Sequence, residues 1–69
     1  MRIDPIEKTE AYLAIEPELE AKIEDALKGV KRGHGYCFEY WHTKQRILEE
    51  DYGIEWKSPS VLNPRIKFD

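Results

Sequence analysis

A single cysteine, Cys37, in a chain of 69 residues means that no intramolecular disulfide can hold this fold together. At this length one hydrophobic core is worth only about 3–5 kcal/mol net. Small domains make up the shortfall with disulfides, a metal, self-association or dense packing of large side chains. The first route is closed here, and soft metal ligands are few. Large side chains are available: two tryptophans, four tyrosines and two phenylalanines. Half of these aromatics lie between His34 and His42, together with the cysteine and both histidines.

Charged residues make up 36% of the chain and hydrophobic ones 41%. That balance predicts one folded domain over 1–69 rather than a disordered segment. No apolar run approaches the roughly 20 residues of a membrane span. The opening Met1-Arg2-Ile3-Asp4-Pro5 lacks a signal-peptide apolar stretch, and a lone cysteine fits a reducing compartment. The expected setting is cytoplasmic, with no membrane association. The net charge of −3 is unevenly spread. Residues 1–29 hold four basic and eight acidic side chains, while Lys31, Arg32, Lys44 and Arg46 face only Glu39 within 31–46. Most of this reads as solvated helix face.

The pattern predicts a helix-dominated α+β domain with helices near 5–15, 17–30 and 36–52. Asp4 before Pro5 and Glu7 is a helix start, with Ile6, Thr9 and Leu13 at helical spacing. Pro17 lacks an N–H and clashes with the preceding turn. It therefore either separates two helices, the favoured reading, or kinks one long helix. Leu19, Ile23, Ala26, Leu27 and Val30 form one apolar stripe, ended by Gly29 or Gly33. In the third helix, with Cys37 at the origin of a wheel of about 100° per residue, Trp41, Leu48 and Tyr52 fall to one side and Tyr40, Ile47 and Tyr36 to the other. Lys44 and Asp51 fall inside this arc, with snorkelling stems or at its edge. Gly53 suits a C-terminal cap, with Ile54 folding back towards Leu48. The alternation in Ile54-Glu55-Trp56-Lys57 and Arg65-Ile66-Lys67-Phe68 predicts two short strands. Between them, Ser58 to Pro64 reads as a turn or a one-turn helix. The expected core is Leu19, Ile23, Leu27, Cys37, Tyr40, Trp41, Ile47, Leu48, Tyr52 and Trp56.

Chemistry-bearing patterns are sparse. His34, Cys37 and His42 are the only soft metal ligands, and Cys37 and His42 point about 140° apart on a helix. No metal and no cofactor are expected. Cys37 in a helix's first turn, near His34, is the one arrangement that could activate a thiol. The same residue lies on the expected buried stripe, where a cysteine is a small hydrophobe. No phosphate loop or dinucleotide fingerprint is present. A basic and aromatic stretch from Lys31 to Arg46 supports nucleic-acid binding as the alternative function, although the acidic balance of the chain argues against it. Phe38 falls at the margin of the buried arc, beside Gln45, Glu49 and His42. An exposed Phe there would anchor an interface, unless Trp56 or Phe68 covers it. The expected interaction surface is His34, Phe38, His42, Gln45 and Arg46.

The residues Gly35-Tyr36-Cys37, Tyr40-Trp41, Lys44, Ile47-Leu48, Tyr52-Gly53-Ile54, Trp56-Lys57-Ser58-Pro59, Leu62-Asn63-Pro64 and Phe68-Asp69 resemble a family of small uncharacterised proteins of Gram-positive bacteria and their phages and mobile elements. The resemblance covers residues 33–69 and not the acidic first half. It implies a small cytoplasmic bacterial or phage-related protein, and it carries over no activity, cofactor or site residue. The expectation is a non-enzymatic binding or regulatory module acting through a protein partner, with a homodimer as one form. The remote alternative is a thiol enzyme using Cys37.

Overall fold

The computed structural model describes residues 1–68. Asp69, the last residue of the pattern above, lies outside the described residues. The described chain is helical, with no strand among them. A 3-10 turn over Pro5–Lys8 leads into α1 (Glu10–Ala26), α2 (Tyr36–Tyr52) and the short α3 (Pro59–Leu62). The α+β expectation is therefore overturned: residues 54–57 and 65–68 form no ladder. Trp56 explains the first of these, since it is a core residue at 2% exposure and the Lys57 N–H after it bonds to Asp4 in the N-terminal segment instead of to a second strand.

Asp4 does cap, as its Oδ1 accepts from the Ile6 N–H at 3.1 Å. The element it starts, however, is only the 3-10 turn. Thr9, placed on a helical stripe by the sequence, is the cap of α1, where its hydroxyl accepts from the Tyr12 N–H at 3.3 Å. The helix then runs unbroken through Pro17, so the separation into helices at 5–15 and 17–30 is also overturned. The reason is a stripe that spans the proline. Tyr12, Leu19 and Ile23 fall within about 40° of one another on a helical wheel, and all three are buried. Pro17 lies on the exposed side, and so does Leu13, whose carbonyl the missing N–H would have engaged. Ala26 and Val30, expected on the buried stripe, are exposed; Val30 lies beyond the end of α1, after Gly29 turns the chain at φ 89°.

α2 starts at Gly35 (φ 85°) and ends at Gly53 (φ 64°), both in the left-handed region that glycine enters without steric cost. The Ile54 N–H then reaches back to the Leu48 carbonyl at 2.9 Å. Near the two ends of α2, Tyr40 donates to Glu20 and Tyr52 to Glu18. Tyr40 and Tyr52 are about 18 Å apart along their helix, while Glu18 and Glu20 are about 3 Å apart along theirs. The two helices therefore cross over the second half of α1. Lys22 adds an ion pair to Asp51 at 3.1 Å.

The crossing encloses Tyr12, Leu19, Ile23 and Leu27 from α1 and Ile47 and Leu48 from α2, with Trp56 closing the cluster from the tail. Tyr36, Tyr40, Trp41 and Tyr52 are partly buried against it. Cys37, expected in the core, is half-buried and outside this cluster. It lies in the first turn of α2, where Tyr36 and Tyr40 take the places facing α1. Lys44 is buried at 7% exposure, with Nζ 4.8 Å from the Trp56 ring centroid and 5.3 Å from that of Tyr12.

The N-terminal segment is clasped to residues 56–63. The Asn63 side chain accepts from the Arg2 N–H at 2.7 Å and donates to the Arg2 carbonyl at 2.8 Å. Asp4 Oδ2 accepts from the Lys57 N–H at 2.9 Å, and Glu7 accepts from the Trp56 indole N–H at 2.8 Å. The result is a flat molecule with extents of 31 × 30 × 17 Å.

Candidate interaction surface

Phe38, Trp41, His42 and Gln45 recur at i, i+3, i+4 and i+7 along α2. They therefore share one face two turns long. That face looks away from the crossing with α1. The tail after Gly53 brings α3 back across it, because Trp56 is anchored in the core and Ser58, buried, begins the next turn with Pro59 at its first position. The space left between is a cleft of about 290 Å³ lined by Phe38, Trp41, His42, Gln45, Ser58, Ser60 and Val61.

Aromatic packing holds one wall. The Phe38 and Trp41 rings meet edge to face, with centroids 5.8 Å apart and planes at 88°. Phe68 meets Trp41 the same way from another side, at 5.0 Å. The tail aromatic thus covers Trp41 and leaves Phe38 44% exposed. On the opposite wall Val61 is 61% exposed. The Ser58 and Ser60 hydroxyls bond to each other at 2.8 Å. No hydrogen bond engages the Trp41 indole N–H, the His42 ring or the Gln45 amide among the described residues.

None of the lining residues is a formal acid, a lysine or an arginine. Charge begins across His42, in a neighbouring hollow of about 230 Å³ formed by Glu39, His42, Thr43 and Arg46. There Arg46 pairs with Glu50 at 3.6 Å.

Of the five residues expected at an interaction surface, the structure gathers Phe38, His42 and Gln45 in one cleft. It places Arg46 in the adjoining hollow. His34 lies exposed in the turn before α2 and lines neither. Trp41, assigned to the core, also forms a cleft wall. Ser58, Ser60 and Val61 were not foreseen. The Ser58-Pro59 start of a one-turn helix is visible in the sequence, but nothing local states which part of α2 it meets.

The basic stretch from Lys31 to Arg46 does not stay together. Lys44 is buried under aromatic rings, Arg46 is tied to Glu50, and Arg32 stacks over Tyr36 at 5.3 Å. Among the described residues no group of three or more His, Cys, Asp or Glu side chains is placed to hold a metal ion. No helix is long and apolar enough to cross a membrane. Comparison with protein-family models, with curated proteins and with solved structures finds no match.

Proposed function

We propose that this protein is a non-enzymatic binding module that engages a protein partner through the cleft between α2 and α3. The observation that carries the reading is the pairing of two exposed apolar walls, Phe38 and Val61, across a cleft that holds no acid, lysine or arginine and whose His42 and Gln45 side chains make no hydrogen bond among the described residues. Rigid aromatic anchors beside uncommitted hydrogen-bonding groups are what a protein interface uses. A nucleic-acid surface has weaker support, because burial of Lys44 removes one of the four cations on which it depended and Glu50 lies beside another, Arg46.

The test is selection of a random dodecapeptide library displayed on phage against the immobilised protein and against Phe38→Ala. Phe38 is exposed enough that its removal leaves the core intact. Peptides enriched on wild type should bind Phe38→Ala roughly tenfold more weakly, about 1.4 kcal/mol. Failure to enrich any sequence, or equal binding to the variant, would overturn the assignment of this face.

A further inference from the structure

We infer that the occupant of the cleft is an uncharged, proline-rich segment in the extended polyproline II conformation. This rests on the reading of the cleft as a protein-binding surface and specifies which kind of segment fits it.

Size is the first constraint. The cleft measures about 290 Å³ and is lined by seven residues. It is suited to a few side chains of a passing chain. Charge is the second. No lining residue is an acid, a lysine or an arginine, so an acidic or basic side chain entering it would lose water without gaining a partner from those residue types.

Hydrogen bonding is the third constraint and separates an extended ligand from a helical one. Among the described residues no hydrogen bond engages the Trp41 indole N–H, the Gln45 amide or the His42 ring. A helical peptide has spent its backbone carbonyls internally, so these donors would be desolvated against it for no return. A polyproline II chain has no internal hydrogen bonds and presents its carbonyls outward. The lengths also agree. Phe38 to Gln45 spans about 10 Å along α2, and one polyproline II turn of three residues spans about 9 Å.

Shape is the fourth. The perpendicular Phe38 and Trp41 rings form a corner of flat apolar faces. A prolyl ring fills such a corner with essentially no loss of side-chain rotamer freedom. Aromatic-lined grooves of this kind take proline-rich segments elsewhere by the same physics.

The experiment is a titration of the ¹⁵N-labelled protein with acetylated, amidated deca-proline, and in parallel with an uncharged helical peptide of alanine, leucine and glutamine. Deca-proline should move the amides of residues 38–45 and 58–61 saturably, while the helical peptide leaves them in place. Gln45→Ala and Phe38→Ala should each weaken the deca-proline effect roughly fivefold or more, with dispersed spectra showing that both variants stay folded. If library-selected peptides bind at the cleft but deca-proline does not, the polyproline assignment is overturned while the interaction surface stands. If neither binds, both readings fall. A concentration-dependent dimer dissolved by Phe38→Ala assigns the cleft to a second copy of the chain and also overturns the proposal.

Discussion

Lys44 is buried at 7% exposure, and what faces its ammonium is aromatic rather than acidic: Tyr12 on one side and Trp56 on the other. Cation–π contacts of this kind are worth about 0.5–2 kcal/mol each, and the four-carbon stem adds packing area. Lys44→Ala should destabilise by about 2–3 kcal/mol in urea unfolding. Lys44→Met keeps the stem's volume and should cost about 1 kcal/mol or less. Equal losses for the two would show that the ammonium, not the stem, carries the site. Tyr12 beside it is fully buried with a hydroxyl that has no hydrogen-bond partner among the described residues. An unsatisfied buried polar group costs about 1–3 kcal/mol. Tyr12→Phe should therefore stabilise the protein by about 1 kcal/mol, checked by the same denaturation. Lys44 was legible in the sequence as a cation inside an apolar arc. Tyr12 was not, because the proline five residues later hid the stripe to which it belongs.

At the scale of elements, α1 shows how tertiary contacts override a local breaker. A proline inside a helix costs about 3 kcal/mol, yet the crossing with α2 buries residues on both sides of Pro17. Pro17→Ala should keep the fold and raise stability by about 1–3 kcal/mol, read from the thermal midpoint. Unchanged stability would mean that proline's restriction of the unfolded chain offsets its cost in the helix. The crossing is also pH-sensitive through its tyrosines. Burial raises the Tyr12 hydroxyl's pKa above its ordinary range, with Glu7 adding to it. Burial and the hydrogen bond to Glu20 raise that of Tyr40, and the bond to Glu18 raises that of Tyr52. Raised folded-state values stabilise below about pH 10, the unfolded tyrosine value. That contribution is lost as pH rises through the folded-state values. Denaturation midpoints should fall progressively above pH ~10, and Tyr12→Phe should flatten the decline. On the acid side the Glu18 carboxyl is held low, first by Tyr52 and then by Lys22. Its contribution is present above the ordinary glutamate value of 4.5 and is lost as pH falls through the depressed one. The span of α2 and its Gly53 end were readable from spacing and the φ requirement of the cap, whereas Gly35 as its start was not. The tail was not: alternation in four residues around Trp56 suits a strand as well as a single buried anchor, and only the partner segment decides.

The whole molecule is 17 Å in its thinnest direction, less than two helix diameters of about 10–12 Å each. A plate this thin has little interior, so polar contacts between remote segments carry part of what a thicker core would supply. Asn63 is the clearest case, with two bonds to Arg2 and one from Nδ2 to the Pro59 carbonyl at 2.9 Å. Asn63→Ala should cost about 2–3 kcal/mol. It should also speed amide exchange at Ile6 and Lys57 more than in α2; uniform acceleration would contradict a local clasp. None of these long-range partners was legible in the sequence. Asp4 and Glu7 carry the signature of a helix start, and their second roles towards Lys57 and Trp56 depend on a fold that local patterns do not encode. The cleft was half legible for the same reason: α2 spacing supplies Phe38, His42 and Gln45, whereas Val61 arrives only because the clasped tail crosses back.

That clasp closes residues 2–63 into a ring in all but covalent connection. Residues 2 and 63 already touch, so a short peptide bridge between those two positions would span little distance. The ring could then be reopened in the exposed stretch around Lys31–Gly33, which no core residue occupies. A permuted order of this kind, with α2 first and α1 last, should fold to the same plate and keep the cleft between α2 and α3 intact.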